Sequence, residues 1–160
     1  MATSDEGPSG GNFPQDSGSR EPFLRVLREL AEAYHAFAAY SAAHVRQLGL
    51  TPAQFDVIAT LGNTAGLPFN ELARRTLVTK GTLTGIIDRL EAKGLVRREV
   101  PIEDRRSFRA CLTASGETLF AAIFPAHLAH LRRAFGTADE AELTQMADTL
   151  RALRARFQEP

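Results

Sequence analysis

Apolar residues recur at helical spacing along most of the chain, and the interruptions of this pattern mark its elements. Between 21 and 48 they fall three or four positions apart, which predicts a long amphipathic helix that ends near Gly49. Thr51 and Pro52 are typical of an N-cap and a first helical position, so "AQFDVIATL" is predicted to form a second helix, ending around Gly62. A short extended stretch, "LPF", follows.

The middle of the chain predicts two shorter helices and a hairpin. Asn70 is placed to cap the helix "ELARRTL", and the helix "TKGTLTGIIDRLEAKG" begins at Thr79, which is placed to cap it. Gly94 then suits a left-handed cap at the end of the second helix. The stretches "LVRREV" and "SFRACLT" alternate well enough to predict two strands, which "PIEDRR" joins.

The second of these helices has two distinct faces. One face carries four apolar residues at positions i, i+3, i+4 and i+7 and is expected to face the core: Leu83, Ile86, Ile87 and Leu90. The opposite face collects mostly small or hydrogen-bonding residues, namely Gly81, Thr82, Thr84, Gly85, Asp88 and Arg89. A face with such small side chains can approach another surface closely.

Two long helices are predicted after the hairpin. Thr113 is placed to cap a helix that runs from about 114 to 135 and carries a wide apolar band. Thr137 is placed to cap the last helix, whose apolar residues step by three and four positions: Leu143, Met146, Leu150, Leu153 and Phe157. This spacing is typical of a coiled-coil seam, which packs against a partner helix or, alternatively, against the first helix of the same chain.

Length and composition bound the organisation of the chain. With 160 residues, of which 44% are hydrophobic, a single domain over 21–160 is expected, preceded by a flexible tail rich in Gly, Ser, Pro and acids at 1–20. The sequence has no apolar run of about 18 residues and no export signal, so a cytoplasmic protein without membrane contact is expected. The single cysteine, Cys111, excludes an internal disulfide.

The formal net charge is zero, but the charge is unevenly distributed. Residues 1–21 contain four acidic residues and one arginine, whereas residues 70–109 contain ten Lys or Arg and six acidic residues, an excess of four positive charges. A local basic region in a neutral protein favours an anionic partner, and nucleic acid is the first candidate. The alternative is a solvated surface that has no partner.

A short helix, a turn, a helix with a small polar face and a charged hairpin describe, in this order, a winged helix-turn-helix. In such folds the second helix enters the major groove by its N-terminal residues, which here offer donors from Thr79, Lys80, Thr82 and Thr84. A glycine inside a helix costs about 1 kcal/mol relative to alanine. Gly81 and Gly85 therefore favour either a close approach to DNA or tight packing within the protein.

The segments "TGIIDRLEAKGLVRRE", "DRRSFRACLT" and "GETLF" resemble the recognition helix, the wing and the following helix of the MarR (multiple antibiotic resistance regulator) family of bacterial transcription factors. The resemblance implies a mainly α fold with a small β-hairpin wing. It places a winged helix-turn-helix DNA-binding lobe at about 51–112 and a helical dimerisation region at about 21–48 and 113–158. It further implies a homodimer on a pseudo-palindromic operator of double-stranded DNA, with half-sites about 34–36 Å apart.

The same resemblance implies roles for residues of the wing tip. Asp104 would hold Arg106 in position while Arg106 enters the minor groove, whereas an ordinary exposed ion pair there would contribute only about 0–1 kcal/mol. Many family members carry Arg or another large polar residue at the position of Gly85, so base contacts are expected elsewhere. The predicted DNA-binding residues are Thr79, Lys80, Gly81, Thr82, Thr84, Arg89, Asp104, Arg105, Arg106, Arg74 and Arg75, with Arg97, Arg98 and Arg109 as further phosphate candidates.

The resemblance also implies a small-molecule effector, often aromatic and anionic, that binds between the dimerisation helices and the DNA-binding lobe. The expected function is a repressor that such an aromatic carboxylate releases from its operator, and no cofactor is expected. Aromatic and imidazole groups on the first two helices are the candidate ligand-binding residues: Tyr34, His35, Phe37, Tyr40, His44 and Phe55. The alternative is that these rings belong to the core.

Four other functions are considered. An enzyme is not expected, because the chain has no GxSxG, no HExxH and no glycine-rich phosphate loop after a strand. A metal-responsive regulator of the same fold would use His127 and His130 with His35 or His44, although no metal site is predicted. A thiol sensor would use Cys111, which is expected instead to be buried and inert. A winged helix used only for protein contacts would need no arginine at its wing tip.

Overall fold

The computed structural model describes residues 21–76, 78–100 and 108–158. Within these ranges, the residues up to Tyr40 form one compact unit and the residues from Ser41 onward form a second. We call them the N-terminal and the C-terminal unit. The described helices and strands are α1 (Pro22–Gln47), α2 (Pro52–Leu61), β1 (Leu67–Pro68), α3 (Phe69–Arg75), α4 (Lys80–Ala92), β2 (Val96–Glu99), β3 (Arg109–Leu112), α5 (Ala114–Ala134) and α6 (Glu140–Arg156).

Helix α2 begins with the cap that its sequence predicts. The Thr51 hydroxyl accepts a hydrogen bond from the Gln54 amide at 3.2 Å, and the Gln54 side chain accepts one from the Thr51 amide at 3.2 Å. With Pro52 in the first turn, this reciprocal capping box satisfies two amides that a helix start otherwise leaves unpaired. The predicted end of α2 at Gly62 is confirmed as well.

The predicted caps of α3 and α6 are wrong. Helix α3 begins at Phe69, with Pro68 as its N-cap, so Asn70 lies inside the helix. The start is displaced because the Phe69 amide donates to the Phe108 carbonyl at 3.2 Å, which ties the beginning of the helix to the sheet. Helix α6 is capped by Asp139 and not by Thr137.

Asp139 replaces Thr137 because it forms a complete capping box. Its carboxylate accepts from the Glu142 amide at 2.9 Å, and the Glu142 carboxylate accepts from the Asp139 amide at 3.0 Å. Two carboxylates near the N-terminus of a helix also interact favourably with the helix dipole. Thr137 also has a glutamate three positions later, Glu140, but the helix begins only at Glu140, so Thr137 lies outside it and Asp139 is the residue at the N-cap.

The three strands form one antiparallel sheet in the order β1-β3-β2. Val96 lies opposite Leu112 and Glu99 opposite Arg109, so β2 and β3 form the predicted hairpin. The predicted extended stretch "LPF" supplies β1 at Leu67–Pro68, which pairs with β3 as the third strand. Gly94, with φ +70°, occupies the left-handed conformation that leads from α4 into β2.

The core of the C-terminal unit is centred on α4. All four residues of its predicted apolar stripe are buried, with exposed fractions of at most 2% for Leu83, Ile86, Ile87 and Leu90. Burying side chains of this size contributes about 1.5–3 kcal/mol each relative to leaving them exposed. They pack in one cluster with residues from α2, α3, the sheet and α5, including Val57, Leu72, Val96 and Phe120. The orientation of α4 is therefore set by its apolar face, and its polar face is left on the surface.

Helix α5 starts where the sequence predicts and makes close contact with the sheet. The Thr113 hydroxyl accepts from the Gly116 amide at 3.1 Å, which confirms its predicted role as N-cap. A methyl group at Gly116 would lie 2.0 Å from the Leu95 carbonyl oxygen, so glycine alone permits this approach. None of the helices in the described ranges is long and apolar enough to cross a membrane.

Candidate nucleic-acid interface

The polar face of α4 is exposed and unusually open. Gly81, Thr82, Thr84 and Arg89 are exposed, as is Asp88. A methyl group added at Gly81 or Gly85 would meet nothing within 4 Å. These two glycines are therefore not explained by tight packing inside the described part of the chain, which was one of the two interpretations of their presence.

The N-terminus of α4 has an unusual cap. Thr79 has the extended backbone of an N-cap, but its hydroxyl makes no hydrogen bond to a helix amide and instead pairs with the Thr82 hydroxyl at 2.9 Å. The first-turn amides of α4 therefore have no side-chain cap. Uncapped amides at the positive end of a helix dipole form a binding site for an anion such as a phosphate. Thr79 and Thr82 add two hydroxyl groups at this end.

Basic side chains lie on the exposed surfaces of both helices. Arg74 and Arg75 are in the last turn of α3, while Lys80 begins α4 and Arg89 lies near its end, and all four are exposed. Arg75 is paired with Glu71 one turn earlier, and the guanidinium remains about half exposed. An exposed pair of this kind contributes little to stability, so Arg75 can exchange Glu71 for a phosphate at little cost.

Three arginines that the sequence suggested as phosphate contacts are engaged within the chain. Arg97 donates to the Leu112 carbonyl at 2.7 Å and to Glu99 at 2.9 Å. Arg109 donates to the Gly66 carbonyl at 2.7 Å, and its buried Nε has no partner among the described residues. Arg98 bonds both Asp88 and Glu91 of α4. The bonds of Arg109 and Arg98 cross between elements, so the spacing of residues along the chain gave no indication of them.

The wing tip lies outside the described residues. Asp104, Arg105 and Arg106 all belong to 101–107, so their predicted roles stay predictions. The strands on both sides of this segment are described, and they pair with each other as far as Glu99 and Arg109. The wing therefore starts from the sheet that packs against α4.

Cys111 is buried in β3, as its place in the predicted strand suggested. Its thiol lies 3.8 Å from the Ala65 carbonyl. Burial raises the pKa of the Cys111 thiol, and the neighbouring carboxylate of Glu99 raises it further. A thiol with a raised pKa is a poor nucleophile and a poor oxidation target, which supports a packing role and not a redox role.

Three histidines meet in the C-terminal unit. The His44 ring stacks on the His130 ring with centroids 4.3 Å apart, and its Nδ1 lies 3.0 Å from Nδ1 of His127. His127 is buried, and its Nε2 lies 3.2 Å from the Ser41 hydroxyl. The Phe55 ring packs edge-on against His127 with centroids 4.5 Å apart. Two of the six predicted ligand-binding residues, His44 and Phe55, thus share a contact with His127, which was not predicted to belong to that site.

The pKa values of His44 and His127 are both lowered in this cluster. Burial lowers the pKa of His127, and the charges of His44 and His130 lower it further. Burial also lowers the pKa of His44, with additional contributions from His130 and Arg133. A hydrogen bond between two Nδ1 atoms requires one donor and one acceptor, so the pair cannot carry a proton on all four ring nitrogens. His44 and His127 are therefore harder to protonate than imidazoles in water.

The other four predicted ligand-binding residues lie on α1 in the N-terminal unit. The rings of Tyr34 and His35 meet edge-on with centroids 6.1 Å apart. Tyr34, Phe37 and Tyr40 are exposed by 55%, 49% and 37%. In the single chain these rings do not form a core, so the alternative interpretation of them as core aromatics is not supported.

Comparisons with known proteins identify the family. Residues 48–107 match the family model described as "MarR family". The HTH-type transcriptional repressor YetL of Bacillus subtilis strain 168 is 31% identical over 118 residues, which cover 72% of this chain and 68% of YetL. The chain belongs to the MarR family. The resemblance read from the segments of the recognition helix and the wing is thereby confirmed.

Two further MarR-like proteins align over most of the chain. The HTH-type transcriptional regulator MhqR of Bacillus subtilis strain 168 is 28% identical over 131 residues, which cover 82% of this chain and 90% of MhqR. The solved structure of BpsR from Bordetella bronchiseptica has a TM-score of 0.68 and 26% identity, and covers 81% of this chain and 98% of BpsR. The BpsR structure addresses the mechanism by which 6-hydroxynicotinic acid regulates DNA binding of that protein.

A metal site is not found in the described part of this MarR-family chain. No group of three or more His, Cys, Asp or Glu side chains in the described ranges is arranged to hold a metal ion. His127 and His130, which the metal-responsive alternative required, face His44 as stacked and hydrogen-bonded rings. Nδ1 of His127 is directed at Nδ1 of His44 and its Nε2 at the Ser41 hydroxyl, and the metal-responsive alternative is not favoured.

Helix α6 of the MarR-family chain has no buried residue. Its predicted seam is largely exposed, with Leu143 at 39%, Met146 at 51%, Leu150 at 58% and the following Phe157 at 61%. Among the described residues of the C-terminal unit, no element covers these side chains. An apolar stripe of this length on a surface helix marks an interaction surface.

Proposed function

We propose that this MarR-family chain is a DNA-binding transcriptional repressor. The observation that carries the proposal is the open N-terminal half of α4. Gly81 and Gly85 leave space above the helix, the first-turn amides have no side-chain cap, and hydroxyls and cations surround them. These features suit a helix that enters the major groove, with amides and arginines on phosphates and threonines within reach of base edges.

The proposed contacts divide into three classes. Thr79, Lys80, Gly81, Thr82, Thr84 and Arg89 are assigned to the major groove, Arg74 and Arg75 to phosphates, and the predicted tip residues Asp104, Arg105 and Arg106 to the adjacent minor groove. The first two classes lie on one lobe, because α3 and α4 contact each other and share the core around Leu72 and Leu83. The third class rests on the resemblance of the wing motif to the MarR family.

The proposed active species is a homodimer. Helix α6 has 17 residues and no buried side chain, whereas most of the stability of a helix in a protein comes from packing of its amphipathic face. Covering its seam with the same seam of a second copy would bury Leu143, Met146, Leu150 and Phe157. A twofold axis between the copies would set two recognition helices on successive turns of one DNA face, about 34–36 Å apart.

An aromatic carboxylate is the proposed effector class. Phe55 offers a ring face, and the lowered pKa of His44 favours its neutral imidazole, which can donate to a carboxylate without the cost of burying a positive charge. The regulation of BpsR DNA binding by 6-hydroxynicotinic acid supports this class. The exposed rings of Tyr34, His35, Phe37 and Tyr40 are further candidates on α1. The factor by which the effector lowers operator affinity would equal the ratio of its own affinities for the DNA-free and the DNA-bound dimer.

The decisive experiment measures DNA affinity against salt. A labelled duplex of about 30 base pairs, selected by the native protein from a random-sequence library, spans two half-sites. We expect a steep negative slope of log affinity against log salt, and for Arg106→Ala a slope smaller in magnitude by about one per subunit, or about two for the dimer. Arg151→Ala on α6 removes the same charge and is expected to leave the slope unchanged.

Two outcomes would contradict the proposal. Failure to select any duplex, or an affinity that does not change with salt, would exclude DNA as the partner and leave a winged helix that contacts protein. Light scattering at the concentration of the binding assay should report twice the mass of 17.5 kDa, and a stable monomer would refute the role of the α6 seam. Titration with 6-hydroxynicotinic acid then tests the effector class on the DNA complex.

A further inference from the structure

Among the described residues, Arg98 joins the wing hairpin to helix α4 by several contacts. It lies in β2, and its two terminal nitrogens donate to different carboxylates of α4, Nη1 to Glu91 and Nη2 to Asp88. Its backbone amide donates to the same Glu91 carboxylate at 3.2 Å. One carboxylate thus holds both the backbone and the side chain of Arg98, which restrains β2 in position and in rotation.

The guanidinium is also stacked on the sheet. Its central carbon lies 5.1 Å from the centre of the Phe108 ring, which precedes β3. Phe108 in turn packs against Phe69, the first residue of α3, with centroids 5.1 Å apart. A continuous chain of contacts therefore joins both strands of the hairpin to both helices of the helix-turn-helix, and Arg98 is at its centre.

We propose that Arg98 is a positioning residue for DNA binding, which fixes the wing hairpin relative to α4 and does not itself contact a phosphate. This inference rests on the proposed function. Both terminal nitrogens of the guanidinium bond carboxylates inside the chain, and one face of its plane lies on the Phe108 ring. The Arg98 side chain is only 24% exposed. A lysine cannot replace it, because a single ammonium cannot bridge two carboxylates and stack on a ring at the same time.

The charges on α4 give the second part of the argument. Asp88 and Glu91 would repel DNA phosphates if they were free, and Asp88 is 58% exposed on the same helix as the proposed base contacts. Arg98 compensates both carboxylates. Electrostatics alone predicts that removing Glu91 strengthens DNA binding, because one negative charge disappears. Positioning by Arg98 predicts the opposite, because the hairpin loses the group that bonds its backbone and its side chain.

The experiment uses this difference in sign. Glu91→Ala should weaken binding to the selected duplex about tenfold, a coupling typical of contacting groups, while the slope against salt stays that of the native protein. Glu117→Ala on α5 is the matched control, since it removes the same charge from an exposed helical position. It should bind as well as the native chain or more tightly. Glu91→Gln, which keeps an acceptor for the Arg98 amide, should show an intermediate loss.

Variants of Arg98 complete the test. Arg98→Met should weaken binding at least as much as Glu91→Ala, because it also breaks the bond to Asp88 and leaves both carboxylates without their cation. The double variant should lose less affinity than the sum of the two single losses, because both single variants break the bond between Arg98 and Glu91. Arg98→Lys should not restore affinity. Melting temperatures measured in parallel show whether each variant is folded. If Glu91→Ala is unstable, Glu91→Gln is compared with the native chain instead.

Specific results would overturn the inference. If Glu91→Ala binds DNA more tightly than the native chain, the carboxylate acts only through its charge. If Arg98→Met lowers the salt slope by about one per subunit and Glu91→Ala leaves affinity unchanged, Arg98 is a phosphate contact. These results presuppose a native protein that binds the selected duplex with a steep salt slope. Absence of that binding would refute the proposed function instead.

Discussion

Replacing Gly81 by alanine should change stability and DNA binding in opposite directions. Gly81 is the second residue of α4, its φ is not positive, and a methyl group there meets nothing within 4 Å. The free protein therefore gains the helix preference of alanine, at most about 0.5–1 kcal/mol. For a chain of 160 residues this corresponds to a rise in melting temperature of about 1–4 °C.

The same methyl group should obstruct DNA. If the backbone at Gly81 approaches the duplex to van der Waals distance, an added methyl group displaces the helix at a cost of about 1–3 kcal/mol, which is about a fivefold to hundredfold loss of affinity. Fluorescence anisotropy on the selected duplex measures this loss, and thermal unfolding measures the stability. A Gly81→Ala variant that binds DNA as tightly as the native chain would refute the close approach of α4.

Gly116→Ala is the matched comparison within the same chain. There the methyl group would lie 2.0 Å from the Leu95 carbonyl oxygen, so α5 and the sheet must separate. We expect a lower melting temperature for this variant, the opposite of the Gly81 result. The two variants share one chemical change, and the structure alone distinguishes their consequences.

Three other predictions concern stability and assembly. The pKa values of His44 and His127 are lowered in the fold, so the unfolded chain binds more protons than the folded chain, and the free energy of unfolding should fall as pH drops below about 6.5. Urea unfolding of His127→Gln should show a smaller fall over the same pH range. An equal fall in the variant and the native chain would contradict this role of His127. Leu150→Glu places a charge in the exposed seam and should yield a monomer by light scattering, whereas a persistent dimer would exclude α6 from the interface. Asp139→Ala removes the α6 cap and should cost about 1 kcal/mol in the free energy of unfolding, and no loss would show that the box is not formed.

The exposed glycines of α4 also explain how function was visible in the sequence. Helix-breaking residues at two positions on one face have no local advantage, so their presence indicated a partner outside the chain. The apolar stripe on the other face is periodic and local, and its four residues were all found buried. The structure confirmed that the chain offers no internal neighbour for either glycine within the described ranges.

The order and type of the elements followed from the sequence by itself, because they depend on residues three or four positions apart. Periodic apolar faces, the caps at Thr51 and Thr113 and the turn at Gly94 all act within one helical turn. The wing motif also indicated the MarR family, because the residue types of the motif are characteristic of that family. These signals are local, so they can be read without the fold.

Only the tertiary structure decided which polar side chains remain available to a partner. The start of α3 moved away from Asn70 because of a hydrogen bond to Phe108, which lies far along the chain. Arg98 and Arg109 looked like surface cations but are engaged by groups that the sheet and α4 bring to them. His44 meets His127 across 83 positions. Contacts between distant segments are absent from any local pattern, because they exist only once the core around α4 has brought those segments together.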